Sequence, residues 1–250
     1  MILLKNILIH LLTAAFFVVF WVPVLLTLPL WWFLPQRAHL VRKLLVIFGR
    51  IVVKVIWRMF FKVRYEDVRQ DKSTGGRIII VNHRAASDAF LVGMMGECCA
   101  QTVNGWPLRN PILGPVARMA GYLDITRMDF EELKQRAAEI FAAGDVIVSF
   151  PEGTRAGSRQ MNVFHSGIFH LARELNVPLG ILCIAGNEEM PDRKFRYRKF
   201  HDILVRRLPD VTLETVRQMP SAFALKKAVN LMMKEELARM DRQLDDEKQI

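Results

Sequence analysis

Hydrophobic and polar positions divide this chain into two unlike parts. No charged residue occurs between Lys5 and Arg37, and the stretch 6–36 is almost wholly apolar. It exceeds the roughly 20 residues that a helix needs to cross a bilayer. It is also far longer than the apolar core of a secretory signal, and no small-residue cleavage site follows it. Pro23 and Pro29 permit a kinked spanning helix or one that dips in and returns. Beyond Arg37 the pattern becomes amphipathic. Arg50, Lys54, Arg58 and Lys62 recur every four residues among Val52, Val53, Ile56, Trp57 and Phe61. That split predicts a helix lying in a membrane interface, cations toward anionic head groups and apolar side toward acyl chains.

Acidic residues first appear at Glu66 and Asp67, and 71–76 forms a polar turn. Two parts are therefore expected: membrane-anchoring helices over 1–64 and a second domain over 65–250. In the second, short apolar runs alternate with amphipathic ones, the signature of an α/β fold. Strands are predicted over 77–82, 101–104, 122–126, 146–150, 177–185 and 200–208. Helices are predicted over 87–97, 111–120, 129–143, 167–175 and 221–246. Asp129 with Glu132 forms a capping box, and Gly144 can end that helix in a left-handed turn. The last helix is acidic at its end and reads as a solvated cover. The expected architecture is a central, mainly parallel or mixed sheet flanked by helices and preceded by N-terminal membrane-embedded and interfacial helices.

Charge sharpens this picture. The formal net charge of +10 sits largely beside apolar surface, and no nucleic-acid module is present, so the charge points to a membrane rather than a nucleic acid. The basic excess after the apolar run places that end, and the following domain, on the cytoplasmic face. Three cysteines, Cys98, Cys99 and Cys183, are too few and too poorly spaced for a disulfide framework or a zinc site. No His-Glu-x-x-His, Walker-type or dinucleotide glycine pattern occurs, and no metal is expected. The run 193–199 is strongly basic with interleaved aromatics and fits either a solvated hairpin or a contact for anionic phosphates.

The chemistry concentrates at three strand ends. Asn82-His83-Arg84-Ala85-Ala86-Ser87-Asp88 follows the apolar run that ends at Val81. In one continuous helix His83 and Asp88 would point about 140° apart. They can meet if His83 ends the strand and Asp88 opens the next helix. A carboxylate so placed holds one imidazole nitrogen protonated and frees the other to take a proton from an alcohol. Two further blocks stand at strand ends, Gly121 to Arg127 and Phe150-Pro151-Glu152-Gly153-Thr154-Arg155. There is no Gly-x-Ser-x-Gly nucleophile elbow.

These blocks, in this order, resemble the glycerolipid acyltransferase superfamily, over roughly residues 65–190. NHxxxxD is met by Asn82, His83 and Asp88, Gly-x5-Arg by Gly121 and Arg127, and FPEGTR letter for letter by residues 150–155. The resemblance implies a membrane-bound O-acyltransferase that moves a fatty acyl group from a thioester to a lysophospholipid hydroxyl. The implied product is phosphatidic acid, formed from a 1-acylglycerol-3-phosphate acceptor. His83 would be the general base and Asp88 its orienting carboxylate. Arg127 and Arg155 would hold the acceptor's phosphate, and Glu152 the glycerol hydroxyl or a neighbouring arginine. Gly153, Thr154 and Asn82 would complete the substrate site. No cofactor is implied; acyl-CoA or acyl carrier protein serves as co-substrate, both remaining open.

Two departures bear on the acceptor. Ile181 stands where a fourth block usually carries a second proline, and Phe164-His165-Ser166-Gly167 replaces a Phe-Lys-x-Gly of many relatives. A different hydroxylated acceptor therefore stays open, as does a catalytically silent membrane-binding module.

Overall fold

The structure is a computed structural model and describes residues 2–31, 33–34, 36–71, 75–192 and 194–248. Lys72, Ser73 and Thr74 of the expected polar turn and Arg193 of the basic run lie outside these, as does the side chain of Pro29. Among the described residues seven strands form one sheet in the order β1-β7-β6-β2-β5-β3-β4. They are β1 (Val63–Asp67), β2 (Ile78–Val81), β3 (Cys99–Val103), β4 (Leu123–Asp124), β5 (Val146–Ser149), β6 (Leu179–Ala185) and β7 (Ile203–Val211). The β6–β7 pairing is antiparallel and every other pairing parallel, so the expected mixed, mainly parallel sheet is what forms.

The sheet is buried on both faces, and β2 shows why its sequence is apolar without alternation. Ile78 and Ile80 pack into one core with the helices α6 (Phe130–Ala142), α7 (Gly167–Glu174) and α9 (Ala222–Asp246). Ile79 and Val81 point the other way, into a core shared with α1 (Ile2–Trp31) and α2 (Arg37–Ile51). The Asp129 carboxylate caps α6 by accepting the Glu132 N–H, and Gly144 follows with φ +77°, as the capping pattern predicts.

Several predicted elements are shorter or split. The 87–97 helix is α3 (Asp88–Leu91) plus one 3₁₀ turn, stopped by Gly96 in the left-handed region. The 111–120 helix is α5 (Gly114–Met119); the short α4 (Trp106–Arg109) before it was not predicted, and Asn110, held extended ahead of Pro111, separates the two. The short edge strand β1 and helix α8 (Leu213–Gln218) were not predicted. Both carry too few periodic apolar positions to stand out.

The basic amphipathic stretch needs correction. After α2 the backbone passes through a π-helical segment, Val52–Ile56, and a 3₁₀ turn, Trp57–Met59, so no single helical stripe runs from Arg50 to Lys62. Its cations are exposed, but Val52, Val53, Ile56, Trp57 and Phe61 are buried against the sheet. Amphipathicity specifies an apolar partner, not whether that partner is lipid or protein.

The uncovered apolar surface lies instead on α1. This helix is continuous through Pro23, and Ile2–Thr27 is long and apolar enough to cross a membrane. Ile9 and Trp21 are buried against the second core, while Leu3, Leu4, Leu11, Val19 and Leu26 are exposed. This exposed face fits membrane association.

Helix α2 in turn braces the helix that carries Asp88. A Cβ on Gly49 would stand 3.1 Å from the Phe90 carbonyl oxygen, and one on Gly93 would stand 3.3 Å from that of Val46. Only paired glycines let the two backbones approach this closely. The other side of α2 is pinned by Arg42, which donates to the Ala120 carbonyl at 2.7 Å and to Asp145 at 2.6 Å.

Candidate active site

The sequence blocks converge because parallel strands deliver their C-terminal ends to one edge of the sheet, where α/β folds carry ligands. His83 follows β2, Glu152 follows β5 and Asn187 follows β6, side by side in the sheet order.

His83 and Asp88 do meet. The imidazole Nδ1 lies 2.8 Å from Asp88 Oδ2, through the bend of residues 84–87. Asp88 is fully buried, and Oδ2 also accepts the Ala85 N–H at 3.0 Å. The Asn187 side-chain amide donates to Oδ1 at 2.5 Å. An acceptor-only carboxylate fixes the proton on Nδ1, which leaves Nε2 as the basic nitrogen. The His83 side chain is 23% exposed and packs on Phe150 with ring centroids 4.5 Å apart. The ring is thus held on one side and open on the other.

Glu152 stands in the loop after β5, against the His83 loop. It is 3% exposed; Oε1 accepts the His83 backbone N–H and Oε2 that of Asn162, each at 2.7 Å. Both oxygens are engaged by backbone, so the carboxylate ties the β5 loop to the β2 loop and faces neither an arginine nor open space. Burial pushes the Glu152 carboxyl up, opposed by those two amides. Asn82 is likewise fully buried. It donates to the Ile184 carbonyl at 2.9 Å and accepts the Ile184 N–H at 2.8 Å, so its side chain prolongs the β2–β6 ladder by one rung beneath His83.

The FPEGTR loop wraps over this rung. Gly153 has φ +70°, which an L side chain adopts only with strain, and His165 lies against it, 3.2 Å from where a Cβ would be. Thr154 is exposed. Arg155 is half-buried with its guanidinium over the Phe195 ring, and Ala156 donates to the His83 carbonyl at 2.7 Å. Arg127 is exposed just beyond β4, three strands from β2. The first and third blocks therefore share one centre, with Arg127 at its flank.

Sequence reasoning missed the residues that hold these loops. Arg84, 1% exposed, makes a bidentate pair with Asp241 of α9 at 2.7 Å and 2.7 Å and donates to the Arg159 carbonyl at 3.0 Å. Arg159 reaches Asp245 and Glu188. The acidic end of α9 is thus a clasp on the His83 loop rather than a solvated cover. The signal available was an arginine inside the NHxxxxD block, where the one nearby acid, Asp88, is already assigned to His83.

This clasp has a pH signature. Burial pushes Glu188 up, but the guanidinium of Arg84, its own backbone amide and Arg159 outweigh burial and hold the carboxyl below its ordinary value. Arg159 and Lys248 hold Asp245 well below the usual range. Depressed carboxyls contribute stability above their unfolded pKa, about 4, and lose it as pH falls toward the folded values. The melting temperature is expected to drop as pH is lowered from about 5 to about 3, and less steeply in Asp245→Asn. Parallel loss in both proteins would contradict this.

Among the described residues of the basic run, 194–199, there is no hairpin. Residues 194–199 are irregular and wind around Asp192, which accepts the Lys194 and Arg196 backbone N–H groups and the guanidinium of Arg198. Those amides and guanidinia hold the Asp192 carboxyl well below its usual range. The loop also clamps α1, since Asn6 and the Tyr197 backbone exchange two bonds of 2.7 Å.

Comparison with known proteins adds identity to this geometry. The family profile described as Acyltransferase matches residues 61–184, a range that includes all three blocks. A 1-acyl-sn-glycerol-3-phosphate acyltransferase of Limnanthes alba is 27% identical over 172 residues, covering 64% of this chain and 58% of that protein. A protein of the same name from Limnanthes douglasii is 26% identical over the same shares. The chain thus matches less than two thirds of the length of these relatives. The crystal structure of PlsC, the 1-acyl-sn-glycerophosphate acyltransferase of Thermotoga maritima, covers 96% of this chain and 95% of its own with a TM-score of 0.74. At 17% identity that likeness establishes the fold. Residues 61–184, with the three blocks inside them, thus form a domain of the Acyltransferase family, set in the fold that this structural likeness establishes.

Proposed function

We propose that this protein transfers a fatty acyl group from a thioester to the free hydroxyl of 1-acylglycerol-3-phosphate, giving phosphatidic acid at a membrane surface. The observation that carries the reading is the His83–Asp88 pair, with Nδ1 held at 2.8 Å and the ring partly open at the C-terminal edge of the sheet. Nε2 takes the hydroxyl proton as that oxygen attacks the thioester carbonyl. The tetrahedral adduct collapses, the C–S bond breaks, and the imidazolium returns its proton to the leaving thiolate. A thioester is already an activated acyl group, so no enzyme nucleophile is needed.

Arg155 and Arg127 serve the acceptor's phosphate. Their guanidinium forks match phosphate oxygens. β4 stands roughly 14 Å from β2 at the usual strand spacing, a gap that the long side chains of Arg127 and His83 shorten from both sides. Glu152 and Asn82 act by holding the loops in register, and the exposed face of α1 seats the enzyme on the membrane, with the site on the cytoplasmic side.

An acceptor panel tests the substrate assignment. Membranes containing the protein should acylate 1-acylglycerol-3-phosphate in preference to its phosphate-free and choline-bearing analogues, assayed with acyl-CoA and acyl carrier protein donors. Equal use of the phosphate-free analogue would refute the arginine assignment.

A further inference from the structure

We propose that Asn187 is a positioning residue for the His83–Asp88 pair, acting as the third point that fixes the carboxylate. It lies two residues beyond β6, outside every sequence block discussed above, and is fully buried. Its amide nitrogen donates to Asp88 Oδ1 and, at 2.9 Å, to Ser87 Oγ. The chemistry fixes the orientation of this amide. A carboxylate can only accept, so the NH₂ end must face Asp88 and the carbonyl end must face away.

That orientation has a visible cost. Asn187 Oδ1 is buried with no hydrogen-bond partner among the described residues. An apolar side chain of similar volume would fill the same space without an orphaned acceptor. The amide is therefore explained by what its nitrogen does, not by packing.

The consequence is geometric. Oδ2 is occupied by His83 Nδ1 and the Ala85 N–H, and Oδ1 by Asn187. With both oxygens tied, the carboxylate cannot turn about its Cβ–Cγ bond, and the imidazole keeps one tautomer and one plane. Without Asn187 the carboxylate swings, the Nδ1–H bond lengthens and Nε2 spends less time aimed at the acceptor. Misplacement of a base on this scale costs about 10²-fold in rate while leaving substrate binding in place.

The proposal rests on His83 being the base, and its test separates the two. Full-length Asn187→Leu, Asn187→Ala and His83→Ala proteins are compared with wild type in detergent micelles. Two quantities are read: kcat against KM, and the low-field proton resonance of the His83 Nδ1–H. Both Asn187 variants should lose about 10²-fold in kcat with KM held within about twofold, and the low-field proton should broaden or vanish. A folded variant with unchanged kcat, or one that retains the proton resonance, overturns the proposal. So does misfolding of both variants, which would mark the amide as architectural. Wild-type activity in His83→Ala would instead remove the base, and the proposal with it.

Discussion

Replacing His83 by alanine is expected to lower kcat for acyl transfer by roughly 10²–10⁴, the range that general-base catalysis supplies. The side chain is partly exposed, and its removal leaves Asp88 with two remaining donors, the Ala85 N–H and the Asn187 amide. Fold stability should therefore change little, and the loss should fall on kcat rather than KM. Asp88→Asn is expected to be as damaging for a different reason. One oxygen becomes an NH₂ that must face either the His83 Nδ1–H or the donors already bound, so the imidazole is driven to the wrong tautomer or the pair separates. Initial-rate kinetics with circular dichroism check both variants. Near-wild-type kcat in folded His83→Ala would remove the base from the account.

The second large effect is structural and starts at Arg84, the residue next to His83. Asp241→Ala is expected to destabilise the protein by about 3–5 kcal/mol, because it strands the guanidinium of Arg84 in a buried site. The Glu188 contact at 3.5 Å and the Arg159 carbonyl cannot replace a bidentate carboxylate. Arg84→Met alone leaves Asp241 short of its partner and should cost less, since Asp241 lies nearer the surface. Combining Arg84→Met with Asp241→Leu should recover most of the loss, since an apolar pair carries no unpaired charge. Chemical denaturation of wild type, Arg84→Met, Asp241→Leu and the double variant measures the coupling. Additive losses would show that the pair does not clasp the loop.

The sequence made the centre of the site legible because its chemistry is local. His83 and Asp88 are joined by the four-residue bend 84–87, and the strand before them is marked by an unbroken apolar run. The core strands were legible for the same reason: β2, β5 and β6 are buried on both faces and read as continuous hydrophobic segments. What stayed hidden depends on distant contacts. Arg84 and Asp241 are 157 residues apart, and Asn187 and Asp88 are 99 apart. Neither pair leaves a periodic trace. Glu152 was legible as part of its motif, but its two backbone partners, the His83 and Asn162 N–H groups, are set by the fold and leave no trace in the sequence. The stripe from Arg50 to Lys62 misled because burial against β2 and burial in lipid demand the same apolar residues.

The central claim is that the acceptor's own hydroxyl, deprotonated by His83, attacks the thioester. It is tested most directly by following thiol release in membranes given an acyl thioester and either 1-acylglycerol-3-phosphate or its analogue lacking the free hydroxyl. The account predicts thiol release matched by phosphatidic acid with the true acceptor, baseline release with the analogue, and baseline release with His83→Ala in either case. Thiol release with the hydroxyl-free analogue, or an acylated protein accumulating without acceptor, would contradict it.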